Sequence, residues 1–284
     1  MKRLIVNADD LGADEPRNAG IFEAIDAGVV TSVSVLANGP AFEDAVRRIR
    51  FFSQKKVSAG IHLNLSEGCP LTPNLRLLAG PDGCFPGKVR THGLFAQRGN
   101  NALKEEIYRE MSVQTEALLH AGVPITHLDG HQHIQIFPAV IETAIRVAEA
   151  FRIPWIRIPD EPPEKQLSGD SLDNEARTYD RFSTEARPYI ENSRLRTTDH
   201  FRGLYLKGRL TLLLLKRTLE RLPGGTTELM VHPGRAPSGE SRSTISSFST
   251  PDRETELMAL MGEEFRKTLI EYGVSLIPFP EVNT

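Results

Sequence analysis

Two adjacent carboxylates, Asp9 and Asp10, close the apolar run of RLIVNADDLG. Acidic pairs often do no more than cap a helix where a strand runs out, accepting from its free backbone N–H groups. Four further stretches call for more than that. His62 lies in GIHLNL, Arg157 in WIRIP and His232 at the end of ELMVH, while His127, Asp129, His131 and His133 alternate in THLDGHQH. In an extended segment that alternation points the four side chains to one side and Leu128, Gly130 and Gln132 to the other. An aspartate with two neutral histidines makes a three-ligand site with a position open to water, and its N and O donors suit Zn²⁺ and other first-row divalent ions. A second carboxylate, outside the ion's shell, is suited to take a proton from that water, and a histidine across the site to protonate a leaving group. The set describes a metal-assisted hydrolase.

Something must bring residues so far apart to one place. LIVNA (4–8), VVTSVSVLA (29–37), VSAGIHLNL (57–65), VPITHLDGH (123–131), WIRIP (155–159), ELMVH (228–232) and VSLIPF (274–279) are short, apolar and β-branched, and read as about seven strands. Helical patterns lie between them: NAGIFEAIDAG with Gly28 as its stop, AFEDAVRRIRFF, ALKEEIYREMSVQTEALLHAG, PAVIETAIRVAEAF with Pro138 suited to a first turn, LKGRLTLLLLKRTLERL and DRETELMALMGEEFRKTLIEYG. Such alternation predicts an α/β fold of parallel strands joined by right-handed crossovers, and the missing dinucleotide fingerprint favours an irregular (β/α) barrel over an open doubly wound sheet. Either architecture gathers the carboxyl ends of the strands, where Asp9, Asp10, His131 and His232 stand, on one rim.

The rhythm is interrupted by long connections at 66–99, 160–200 and 233–250, the lengths at which loops act as lids or substrate rims. The reading is one domain spanning 1–284. TLLLLK is a buried helix face, and no run is long and apolar enough to span a bilayer. The net charge of −3 and the absence of a Lys/Arg run exclude a nucleic-acid footprint. MKRLIV passes directly into a strand without the cleavage site of a signal peptide, so a cytoplasmic location is expected. Cys69 and Cys84, the two cysteines of the chain, are spaced unlike a zinc module and read as free thiols.

Taken together, NADDLG, GIHLNL, THLDGHQH, WIRIP and MVHPG resemble the YdjC-like carbohydrate deacetylase family, which includes the chitooligosaccharide deacetylases. The resemblance runs from Leu4 to Phe279. It implies a distorted β/α barrel similar in site layout to NodB-type polysaccharide deacetylases, and one divalent ion, Mg²⁺ or Zn²⁺. It makes Asp10, His62 and His131 the metal ligands, Asp9 the general base, His232 the acid and Arg157 a charge partner of Asp9. The implied partner is an N-acetylated sugar that loses acetate, with a homodimer as a possible assembly. Leu11 and Gln132 depart from the family's pattern, which has phenylalanine after the acidic pair and a run of three histidines. Asp129 is read as orienting a ligand histidine or forming a structural ion pair, and His127 and His133 as packing histidines.

Rival readings fare worse. The DxDx(T/V) pattern of a haloacid-dehalogenase-type phosphatase is missing, and GPDGCFPGKV lacks the first glycine and the Ser/Thr of a phosphate loop. A metal-dependent phosphoesterase on the same ligands is kept open by Arg157 and Arg235, and a non-catalytic sugar-binding protein by the barrel itself.

Overall fold

The computed structural model describes residues 1–50, 56–162, 171–236, 245 and 250–280. Every residue from Leu4 to Leu11 is buried: Leu4, Ile5, Val6, Ala8 and Leu11 are the apolar side chains expected of a central parallel strand, and Asn7, Asp9 and Asp10 are buried polar groups among them. This strand, β1 (Lys2–Leu11), lies in an eight-stranded parallel sheet with β2 (Ser32–Val35), β3 (Ser58–Leu63), β4 (Ile125–Gly130), β5 (Trp155–Ile156), β6 (His200–Arg202), β7 (Gly225–Val231) and β8 (Val274–Leu276). Seven strands follow the order β5-β4-β3-β2-β1-β7-β6, and β8 pairs with Leu4 and its two predecessors in β1. The expected parallel β/α architecture is what forms. β5 and β6 end the path without pairing to each other, so the curled sheet stays open.

Helices cover the sheet: α1 (Glu15–Asp26), α2 (Phe42–Ile49), α3 (Lys88–Phe95), α4 (Asn101–His120), α5 (Ile141–Ala150), α6 (Ser171–Glu191), α7 (Leu212–Glu220), α8 (Thr250–Met261) and α9 (Glu263–Glu271). Asp14 caps α1, accepting from the Arg17 N–H at 2.8 Å, so the capping role open to an acid in this region falls to Asp14 and leaves the earlier pair for other work. Asn100 and Thr211 do the same for α4 and α7.

Several expectations are corrected. The stretch at 66–99 contains α3, and that at 160–200 contains the 21-residue α6 and ends in β6. Polar sequence hid both helices: α6 buries Ala176, Tyr179, Phe182, Ala186 and Ile190, a stripe at helical spacing diluted by charge on the outer face. The pattern from 252 to 273 divides at Gly262 into α8 and α9, and α5 starts three residues beyond Pro138. Cys69 and Cys84 are joined in a disulfide rather than free, because the turn at 80–84 folds the chain back toward Gly68, where the Phe85 N–H donates to its carbonyl. Phe51 and Phe52 of the second helical pattern, most of DEPPEKQLSGD and most of the Ser-rich stretch after Pro237 lie outside the described residues. Among the described residues no helix is long and apolar enough to cross a membrane.

Candidate metal centre and active-site pocket

Consecutive strand residues face opposite sides of a sheet, so two adjacent aspartates should not share a pocket. β1 breaks that rule locally. Asp10 has φ 66°, in the left-handed region, where the register of β1 against β2 shifts between Ala8 and Leu11. The bulge turns Asp9 and Asp10 together into a pocket they line with His62, His131, Gln132, His133, His232 and Arg253. Backbone held in this region by a side chain other than glycine is a cost that clusters at functional sites.

THLDGHQH is extended only as far as Gly130. From His131 to Ile136 the chain turns tightly and kinks at Gln132 and His133, which are left-handed with φ of 56° and 57°. The expected single face therefore splits. His127 stays with the strand, stacked on Phe279 with ring centroids 4.1 Å apart, and does not line the pocket. His133 packs edge-on against Tyr179 of α6 at the pocket wall. Asp129 lies beneath His62, and His131 swings toward Asp10.

The Asp10, His62 and His131 ligand atoms lie within 4.8 Å of one another, all on buried residues. His131 Nδ1 is 3.0 Å and His62 Nε2 3.5 Å from Asp10 Oδ1. Each imidazole is backed by a carboxylate on its other nitrogen: His62 Nδ1 lies 2.7 Å from Asp129 Oδ1, and His131 Nε2 lies 3.0 Å from Glu67 Oε2. A carboxylate behind each ring keeps a proton on that nitrogen, so the nitrogen facing Asp10 is the one that would give up its proton to an ion, the arrangement that metal-ligating histidines adopt. Burial works against a charge on His62, but Asp129, Asp9 and Asp10 outweigh it and push its pKa up to about 10. The same field favours a cation between these groups.

A second group, Asp9, His62 and Asp129, also has the spacing of a metal site. Arg157 fills it. Its Nη1 and Nη2 donate to the two Asp9 oxygens at 2.7 Å each, Nη2 is also 2.7 Å from Asp129 Oδ2, and Nε donates to Glu228 Oε1 at 2.7 Å. Arg157 takes both oxygens of Asp9 and one of Asp129, whereas Arg253 takes only Oδ2 of Asp10 and leaves Oδ1 facing the two imidazoles, so Asp10, His62 and His131 are the donor set with room for an ion. Asn7 Nδ2 donates to Asp9 Oδ1 and to Ser34 Oγ at 2.8 Å, and Ser34 donates to Asp129 Oδ2 at 2.7 Å. Asp129 thus both orients His62 and pairs with Arg157, joining the two roles left open for it.

His232 follows β7, and its backbone N–H donates to Glu256 Oε2 of α8 at 2.6 Å. Burial first, and then the Arg253 guanidinium, depress its pKa well below the ordinary imidazole value. Burial would raise the Asp10 carboxyl, but Arg253, His131 and His62 together hold it well below the usual range. Glu67, Arg253 and Arg17 had not stood out in the sequence. Glu67 had a local signal in its position five residues past His62; Arg253, on a helix 243 residues from Asp10, had none.

The chain is 36% identical to a carbohydrate deacetylase of Mus musculus, covering 99% of this chain and 95% of that protein. It is 30% identical to one of Brevibacillus brevis, covering 99% of each. A crystal structure of a proposed cellobiose-phosphate cleavage protein from Enterococcus faecalis superposes with a TM-score of 0.74 at 23% identity, over 98% of this chain and 97% of that one, a likeness of fold. Residues 3–271 match the family model described as YdjC-like protein, and the chain belongs to that family.

Proposed function

We propose that this chain is a divalent-metal-dependent carbohydrate deacetylase that removes the N-acetyl group from an amino sugar or oligosaccharide. The observation that carries the reading is the Asp10, His62 and His131 set, each imidazole backed by a carboxylate, in one pocket with the Asp9–Arg157 pair. The names of the relatives supply the substrate class. Asp10, His62 and His131 would hold the ion, which when bound polarises an acyl oxygen and acidifies water.

The chain's own groups then divide the proton work. Asp9, fixed by Arg157 and Asn7, is the base that accepts the proton of the attacking water. His232, its pKa held low by burial and by Arg253, takes up a proton from solvent and hands it to the departing amine, while Asp9 releases to solvent the proton it took from the water. Acetate and a free amino sugar leave.

The test is acetate release across a panel of N-acetyl-sugar monomers, oligomers and conjugates, with and without Mg²⁺ or Zn²⁺, beside metal analysis. Acetate release that a chelator abolishes supports the reading. Phosphate release from sugar phosphates without acetate would reassign the ligands to phosphoester hydrolysis, and a stoichiometric ion without turnover would leave a sugar-binding protein.

A further inference from the structure

The two oxygens of the Asp10 carboxylate have different surroundings. Oδ1 faces the imidazoles, 3.0 Å from His131 Nδ1 and 3.5 Å from His62 Nε2, and makes no aligned hydrogen bond. Oδ2 accepts from Arg253 Nη2 and lies 4.0 Å from Arg17 Nη1. Both arginines are anchored elsewhere. Arg17 Nε is 3.0 Å from Asp14 Oδ2 and its Nη1 donates to the Ile245 carbonyl at 2.8 Å. Arg253 belongs to α8, where its carbonyl accepts from the Gly234 N–H at 3.3 Å and Glu256, one turn on, holds the backbone of His232. The Arg253 side chain is 0% exposed and that of Asp10 3%, so their contact is largely shielded from solvent.

We infer that Arg253 is a positioning residue that makes Asp10 a one-oxygen ligand, occupying Oδ2 so that only Oδ1 is presented to an ion. The inference rests on the metal centre of the proposed function and adds a division of labour within it. A carboxylate free at both oxygens chelates in two-point fashion and takes a coordination position that the substrate oxygen or water needs. The Arg253 charge also weakens the pull of Asp10 on a cation. With Arg253 in place the three ligands therefore hold the ion less tightly than they would alone, and a position stays open. Helix α8 becomes part of the centre although it supplies no ligand.

The experiment is a competition titration of Zn²⁺ against a chromophoric chelator, on the wild-type chain and on Arg253→Met, with turnover measured on the sugar that the wild-type chain deacetylates best. The expected result is a split: Zn²⁺ affinity rises about tenfold in the variant, because a positive charge beside the ligand is removed, while kcat falls about tenfold or more. Arg253→Lys, which keeps a cation and one donor for Oδ2, should return both toward wild type. A merely structural role moves both measurements down together, with thermal stability, and that result, or two unchanged values, overturns the inference. Should the Met variant fail to fold, Arg253→Gln is titrated against the same criteria. A wild-type chain that binds no ion refutes the metal centre and this inference together, whereas one that binds an ion with the same affinity as the variant refutes this inference alone.

Discussion

The acidic pair poses the sharpest question at the scale of single residues, because its members are neighbours in sequence and differ in every contact. Asp9 is clamped at both oxygens by Arg157, while Asp10 offers Oδ1 to two imidazoles. Asp9→Asn should retain the ion and lose turnover by about 10²- to 10⁴-fold, the scale of a positioned general base. Asp10→Asn should weaken the ion itself, since a neutral amide oxygen is the poorer ligand. Metal affinity and acetate release measured on both variants separate the roles, and the reverse pattern would exchange them. Asp129→Asn disturbs the proton on His62 Nδ1 and the hold on Arg157. Its expected cost is about 10- to 100-fold in metal affinity or activity.

At the scale of elements, the site depends on how closely helices approach the strand ends. Gly20 of α1 faces the turn after His232 so tightly that a Cβ there would lie 2.5 Å from the Gly234 Cα. Gly20→Ala should therefore cost about 1–3 kcal/mol of stability and displace His232, which thermal unfolding and turnover would both register. Elsewhere the elements have room for improvement. Helices α1, α4 and α9 end in Gly28, Gly122 and Gly273 with positive φ, but the equivalent residue after α5 is the exposed Arg152, at φ 55°. Arg152→Gly removes that left-handed cost and should stabilise the chain by up to about 1 kcal/mol, read as a higher urea midpoint with the slope unchanged.

For the whole molecule, buried titratable groups set the dependence of stability on pH. His92 and His127 are depressed, by burial first, to about 4 and about 3, and His133 and His232 lie well below 6.5. The unfolded chain protonates these imidazoles below 6.5 and the fold resists, so their contribution is complete above that pH and is lost as pH falls through the folded values. Glu161, Glu228 and Glu256 are pushed up by burial to about 7 and have the opposite sign: their contribution is complete below 4.5 and lost as pH rises through 7. The two sets oppose each other between 4.5 and 6.5. Below 4.5 the glutamates no longer offset the histidines, and the depressed Asp10 and Asp129 add to the loss. Urea unfolding across this range should show nearly level stability down to about pH 5 and a steep fall below it. In the metal-free chain His62, raised to about 10, adds a decline as pH climbs from 6.5 through 10.

Much of this was determined by the sequence alone, and for a definite reason. Parallel strands buried on both faces are rich in short apolar stretches, so β1, β3 and β7 are visible in LIV, GIHL and LMV, and the parallel topology then places their carboxyl ends together with the chemistry-bearing residues. Local pattern failed where burial and solvent share an element, as in α6, or where an element is as short as the three-residue β6. It failed again where the backbone leaves its period: the left-handed Asp10 and the turn at Gln132 and His133 decide which side chains enter the pocket, and side-chain periodicity assumes that neither exists. Only the tertiary structure could supply Glu67 behind His131, Arg157 across Asp9 and Asp129, and Arg253 on Asp10. Those contacts join residues 28 to 243 positions apart, and a charge buried at such a distance in the chain is visible only once the partner that neutralises it is in place.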